Sequence, residues 1–345
     1  MGLQTYFSKF HENIKLSPGT KKELREKRDI LIGILRDSRK LPSFEEFSQG
    51  SYGMFLGIKP IDDEEYDIDV GLRFNVNKDD YGPLEIKETI REILKGHTDY
   101  GTTIRKPCVT VTYKKDGEKS YHVDLVTYSY EDKDDHDSQM YLAKGTESSP
   151  EEEVFWEKAD PVALLDYIQD TVQDDTEREQ FRRIVKYIKH WKKRKFSSSG
   201  HAEPPSIGIT LLALDNFVAS DGDDLSALIH IVRAIKSKFH YEGLGNNNKL
   251  MYSISYSLPD TLRVEPGNNL FEKMSLVQMT DFKEKIEKLL SDLLAVQGEA
   301  DLVKQCEKLR NVFGDDFEVP EAKDVSKQQL NYIPRSTASG KANGL

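Results

Sequence analysis

The chain has 345 residues, 32% of them charged and 37% hydrophobic, and a net charge of -11. That length accommodates two packed domains or one large bilobal unit, and the acidic balance argues against constitutive binding of long DNA or RNA, which calls for a basic footprint. No run of about 18 uncharged apolar residues is present, the start MGLQTYFSKF has no secretory apolar core, and Cys108 and Cys306 are too few for a disulfide framework or a zinc site, so a cytoplasmic chain without a membrane span is expected.

Residues 20–37, KKELREKRDILIGILRDS, read as a helix whose charged start gives way to Ile30, Leu31, Ile34 and Leu35. The step Gln49-Gly50-Ser51 reads as a turn in which glycine permits unusual backbone geometry, so that N–H groups and a hydroxyl can approach a triphosphate. In the run YDIDVGLRF that follows, strand alternation puts Asp67 and Asp69 on one face and Ile68, Val70, Leu72 and Phe74 on the other. Two carboxylates this close are costly together unless a cation neutralises them, and a divalent ion with oxygen ligands does so directly.

Further on, CVTVTY, KKDGEK and SYHVDLVTY read as strand, turn at Asp116-Gly117, and strand. Tyr121, Val123 and Leu125 then face a core, while His122 and Asp124 face the other way. Asp124 can join Asp67 and Asp69 across a sheet. Three carboxylates can hold two Mg²⁺ (or Mn²⁺) ions, one activating an attacking hydroxyl and one steadying a leaving pyrophosphate. An Asp-x-Asp, a Gly-Ser pair or a lone strand aspartate is commonplace by itself; their order along the chain is what points to nucleotidyl transfer.

The acidic span from Glu131 to Glu153 reads as a loop insertion or partly ordered segment, with His136 in a solvated loop, and beyond Trp156 the chain is expected to be mainly helical. In FRRIVKYIKHWKKRKF, residues Phe181, Ile184, Val185, Ile188 and Trp191 form one apolar helical face, with Lys189 at its border. The surrounding cations Arg182, Arg183, Lys186, Lys192, Lys193, Arg194 and Lys195 read as a solvated face, or as a patch that helps hold phosphates or an activating ligand. Ser206 follows two prolines and opens an apolar helix, where its hydroxyl can cap the helix or contact phosphate. Two amphipathic helices follow, marked by Phe282, Ile286, Leu289, Leu290 and Leu293 and by Leu302, Val303, Cys306, Leu309 and Val312. After Pro320 the periodicity ends and a flexible tail closes with STASGKANGL.

The string QGSYGMFLGIKPIDDEEYDIDVGLRF resembles the nucleotidyltransferase superfamily signature, and FRRIVKYIKHW followed by the Pro-Ser helix start resembles the helix reading approximately LVKHW in the cGAS/DncV-like nucleotidyltransferases (CD-NTases), relatives of cyclic GMP-AMP synthase and oligoadenylate synthase. The resemblance implies an α/β (α+β) fold with a bilobal, polymerase beta-like catalytic core containing a mixed β-sheet, plus a mainly helical C-terminal lobe. The expected units are residues 1–160 (an N-terminal helix bracing both lobes, and the catalytic core), 161–320 (the helical lobe) and 321–345 (the tail). It implies condensation of nucleoside triphosphates into a cyclic di- or trinucleotide messenger in a bacterial antiphage (CBASS) system. Asp67, Asp69 and Asp124 would be the catalytic and metal-binding residues, and Gln49, Gly50, Ser51, Lys189 and Ser206 would hold the nucleotide. Expected partners are the triphosphates, a separate effector activated by the product, and conjugation proteins acting on the tail, although Leu345 after Gly344 departs from that pattern. The same carboxylates would serve a nucleotidyltransferase acting on an RNA end, a small molecule or a protein. A catalytically silent nucleotide-binding scaffold is the reading from another class, and the retention of all three aspartates speaks against it.

Overall fold

The computed structural model describes residues 2–61, 65–113, 121–197, 199–259, 262, 264 and 269–321. Two apolar clusters organise these residues, one behind a β-sheet and one among helices.

Helix α1 (Leu3–Ile14) precedes α2 (Pro18–Asp37), which Ser17 starts by accepting a hydrogen bond from the Thr20 N–H, with Pro18 in the first turn where no amide partner is needed. Strand β1 (Phe44–Ser48) leads through the single turn α3 (Gly50–Gly53) into β2 (Tyr66–Asn77), and α4 (Pro83–Leu94) follows. Strands β3 (Thr102–Ile104), β4 (Cys108–Tyr113), β5 (Tyr121–Tyr130), β6 (Met140–Ala143) and β7 (Trp156–Ala159) complete the sheet. Its order is β1-β2-β5-β4-β3, with β6 joining β5 to β7. The β2–β5 pair is parallel and the other pairs are antiparallel, so the sheet is mixed as expected. The hairpin strands β4 and β5 pair as the sequence predicts; the Asp116-Gly117 turn between them lies outside the described residues.

The alternation in β2 is realised in full. Ile68, Val70, Leu72 and Phe74 are buried against Leu24, Leu31, Ile32 and Leu35 of α2 and Ile86, Ile90 and Leu94 of α4, and this packing clamps the strand from behind. The helix expected over 20–37 is present as α2, and its apolar residues divide between core and solvent. Ile30 is 53% exposed and Ile32 takes the inward position, because a helix seated on Leu24, Leu31 and Leu35 turns position 32 inward and position 30 out.

The reading of the acidic span needs refinement. The acidic span is not simply a loop insertion: Met140–Ala143 forms β6, and the Glu131 N–H bonds the Gln139 carbonyl to close the connection from β5. Beyond Trp156 the chain is mainly helical, as expected, although β7 comes first and a two-stranded ribbon, β8 (His240–Leu244) with β9 (Leu250–Ser253), interrupts the helices later.

Helices α5 (Pro161–Asp170), α6 (Asp175–Lys195), α7 (Ser206–Asp215), α8 (Asp224–Ser237), α9 (Leu276–Gln297) and α10 (Leu302–Phe313) form the helical lobe. The expected apolar face of α6 is buried throughout, as are all five marked residues of α9 and Cys306, Leu309 and Val312 of α10. Helix α1 belongs to this cluster through Tyr6, Phe7, Phe10 and Ile14, and Phe10 stacks on Tyr187 with centroids 5.1 Å apart. The first 37 residues are thus shared, α1 packing among helices and α2 behind the sheet.

Candidate active site

Parallel pairing of β2 with β5 sets Asp67 beside His122 and Asp69 beside Asp124 in register. Since residues two apart share a face, these four side chains form a two-by-two array on the face of the sheet opposite α2 and α4. Atoms of Asp67, His122 and Asp124 that can ligate a metal all lie within 4.8 Å of one another. Asp124 is held from the next strand, where the Thr110 hydroxyl donates to its Oδ1 at 2.5 Å.

Asp69 is fixed differently. Its carbonyl accepts from the Gln49 N–H at 3.3 Å, and its carboxylate lies directly against Gly50. A Cβ added at Gly50 would fall 1.8 Å from Asp69 Oδ2, and the residue has φ +59°, so both close approach and backbone conformation call for glycine. The expected Gly-Ser turn is therefore the first turn of α3, packed against the carboxylate it precedes in sequence. The Gln49 side chain accepts from the Tyr128 hydroxyl at 3.0 Å, which ties it to the sheet.

The Asp67 and Asp69 edge of the array opens on a cleft of about 360 Å³ that runs between sheet and helices. Gly50, Ser51, Asp67, Asp69, Lys189, Lys193 and Ser206 line it, and Met54, Leu56, Ile58 and Ile207 give it apolar walls. Among the expected nucleotide residues, Gly50, Ser51, Lys189 and Ser206 meet in this cleft, while Gln49 stands behind it. Lys189 is almost fully buried and donates to the Leu56 carbonyl at 2.8 Å, which ties α6 to the segment after α3. Ser206 is the first residue of α7 and does not cap it; its hydroxyl is instead 2.6 Å from Lys192 Nζ.

The basic helix face is not solvated throughout. Lys186, Lys189 and Lys192 are buried, Lys192 pairs with Glu203 at 2.6 Å, and Arg183 makes two hydrogen bonds to the buried carboxylate of Asp224. The carboxylates of Glu203 and Asp224 offset the burial of Lys192 and Arg183.

The electrostatics of the site are those of like charges crowded together and partly buried. Solvent reaches Asp67 across the cleft, yet burial and then the Asp124 charge push its carboxyl up to about 7. Burial, then Asp67 and Asp124, push Asp69 up to about 7 as well. On the opposite wall, burial followed by repulsion from Lys192 and Lys193 pushes the Lys189 ammonium down to about 7. A closely spaced acidic set with raised carboxyl pKa values suits a divalent cation, so the residues present fit one.

Glu65, His122, Lys193 and Thr110 carry parts of this site that sequence reasoning did not assign. His122 was legible as a neighbour of Asp124 by alternation, and Lys193 lies one helical turn beyond Lys189. Nothing local to the sequence revealed Glu65, whose Oε2 is 2.9 Å from His122 Nδ1, or Thr110.

Residues 44–128 match the family described as "Cyclic GMP-AMP synthase DncV-like, nucleotidyltransferase domain", a stretch that holds the Gly-Ser step and all three aspartates. A protein described as cyclic GMP-AMP synthase, from Escherichia albertii, is 25% identical over 254 residues; the match covers 70% of this chain and spans about half (54%) of that protein's length. Among solved structures, the Vibrio cholerae DncV cyclic AMP-GMP synthase superposes with a TM-score of 0.67 at 15% identity, covering 92% of this chain and 97% of that one. CdnC of E. coli MS115-1, solved with ATP, gives 0.65 at 17% identity, covering 91% and 98%. Among the described residues, no helix is long and apolar enough to cross a membrane.

Proposed function

We propose that the chain is a cGAS/DncV-like nucleotidyltransferase, a reading supported by the match of residues 44–128 and by the 25% identical relative, and that it condenses nucleoside triphosphates into a cyclic di- or trinucleotide second messenger and releases pyrophosphate at each step. The observation that carries this reading is the array of Asp67, Asp69 and Asp124 across β2 and β5, in which Asp67 and Asp69 line a cleft that Lys189 and Lys193 line as well. Acid on one wall and cation on the other is the pattern a metal-bound triphosphate requires.

Asp67, Asp69 and Asp124 would hold two Mg²⁺ or Mn²⁺ ions. When bound, such a pair neutralises phosphate charge, lowers the pKa of an attacking hydroxyl and stabilises the leaving pyrophosphate. The chain's own groups do the remaining work. Thr110 fixes the orientation of Asp124, which stands ready to accept a hydrogen bond from the attacking ribose hydroxyl. Gly50 leaves room for a close approach beside Asp69, and Ser51 offers a hydroxyl to the phosphates.

Lys189 and Lys193 face the triphosphate from α6, and a bound polyanion would restore the ammonium charge that burial disfavours at Lys189. Ser206, already hydrogen-bonded to Lys192, adds a hydroxyl at the same wall. Met54, Leu56, Ile58 and Ile207 bound an apolar space suited to a base.

The E. albertii relative and the V. cholerae enzyme are described as synthases of a mixed guanine–adenine product, which supports the reaction class for this chain. The biological setting proposed is antiphage defence, with a separate effector responding to the product. The test is pyrophosphate release from the four ribonucleoside triphosphates with Mg²⁺ or Mn²⁺ and no other acceptor. Release under these conditions supports self-condensation. Release only after addition of RNA, a small-molecule alcohol or a protein would replace it with transfer to another acceptor.

A further inference from the structure

His122 occupies the fourth corner of the array that holds the three aspartates. Its Nε2 lies 3.4 Å from Asp67 Oδ1, within the group of donors whose ligating atoms are all within 4.8 Å of one another. The ring's other nitrogen, Nδ1, is 2.9 Å from Glu65 Oε2. Histidines that ligate metals nearly always give their second nitrogen to a carboxylate or carbonyl, which fixes the tautomer and raises the basicity of the ligating nitrogen. Glu65 stands two residues before Asp67 on the segment that opens β2, so the same stretch of backbone supplies a ligand and the group that would orient another.

We propose that His122 is a nitrogen ligand of the divalent-cation site, backed by Glu65, and that it biases the site toward Mn²⁺ and Co²⁺ over Mg²⁺. The inference rests on the metal-dependent reading above and deepens it. Mg²⁺ favours oxygen donors and retains its waters, whereas an imidazole nitrogen strengthens binding along the first-row transition series. With Asp67, Asp69 and Asp124 alone the site would be all-oxygen and suited to Mg²⁺; an imidazole at the open corner changes the donor set in a direction that can be measured. Parallel register makes the placement possible, because pairing Asp67 with His122 brings one donor from each strand to the same rung.

The test is direct metal binding by the full chain, with Mn²⁺, Co²⁺ and Mg²⁺ titrated separately by calorimetry, and electron spin echo spectroscopy of bound Mn²⁺ to detect a directly coordinated nitrogen. The parent protein should show the nitrogen coupling and bind Mn²⁺ at least about tenfold more tightly than Mg²⁺. In His122→Asn the coupling should vanish and the Mn²⁺ advantage should shrink at least about tenfold, with Mg²⁺ affinity nearly unchanged. Glu65→Gln keeps the ring but weakens its support, and should cost Mn²⁺ affinity about 10- to 100-fold. A purely structural His122 would instead lower affinity for all three metals equally, or for none. That result, or absence of nitrogen coupling in the parent protein, would overturn the proposal while leaving a metal-dependent enzyme in place. Failure of the parent protein to bind any of the three metals would overturn both readings.

Discussion

Replacing Gly50 by alanine should separate catalysis from folding. The added Cβ would lie 1.8 Å from Asp69 Oδ2 and 2.7 Å from its Cγ, whereas ordinary contact begins near 3.4 Å. The carboxylate, or the turn that carries residue 50, must therefore shift by roughly 1.5 Å to make room, a distance set by ordinary van der Waals contact. Holding a non-glycine residue at φ +59° costs about 1–2 kcal/mol. That is a modest loss for a chain of this size, a shift of a few degrees in Tm. A misplacement of about 1 Å at a reacting centre costs about 10²-fold in rate, or about 2.7 kcal/mol of barrier. Gly50→Ala should thus fold cooperatively, melt only slightly early, and lose at least about 10²-fold in kcat for pyrophosphate release. Thermal melting and steady-state rates on the same preparation test this. A variant within about threefold of the parent rate would refute the claim that Gly50 exists to admit Asp69.

In Asp67→Asn with Asp69→Asn, the two carboxyls whose pKa values are raised in the fold are removed. Raised carboxyl pKa values mean that ionisation above the ordinary range opposes folding, so the metal-free double variant should melt no lower than the parent at neutral pH and lose the rise in Tm that Mg²⁺ gives the parent. Asp224→Ala would strip the partner from Arg183 and Tyr187, which hydrogen-bond the Asp224 carboxylate at 2.8 and 2.9 Å, and should cost about 3–5 kcal/mol in denaturant unfolding. Burial pushes the Asp224 carboxyl up, but hydrogen bonds and charge from Arg183 outweigh it and hold the group below its ordinary value of 3.8. Its stabilising contribution is therefore complete above about pH 4 and lost as pH falls below that, so the stability gap between parent and Asp224→Asn should narrow on acidification. Lys87 is completely buried and donates to the carbonyls of Arg105, Lys106 and Gly145 at 2.9, 2.9 and 2.6 Å. Lys87→Met should leave those carbonyls unsatisfied and destabilise the sheet by about 2–4 kcal/mol, read as a lower unfolding midpoint.

Where a signal was local and periodic, the sequence carried it to the structure. Alternation in β2 put Asp67 and Asp69 opposite Ile68, Val70, Leu72 and Phe74, and helical spacing found the buried face of α6. What escaped depended on pairing between distant segments. Ile30 and Ile32 are both apolar in an uninterrupted run, and only the seat against the sheet decides which turns inward. Strand β6 is four residues long and follows a run of aspartates whose charge hides it. The burial of Lys192 depends on Glu203 eleven residues later, beyond any helical repeat, and the Glu65–His122 contact depends on a parallel register between strands that are separated by more than forty residues.

The most direct test of the account is mass analysis of the phosphatase-treated product made from all four ribonucleoside triphosphates, by the parent protein and by Asp67→Asn with Asp69→Asn side by side. The account predicts a phosphatase-resistant species with the mass of a cyclised di- or trinucleotide from the parent and none from the variant. A linear or adducted nucleotide from the parent, or the same cyclic product from the variant, would contradict it.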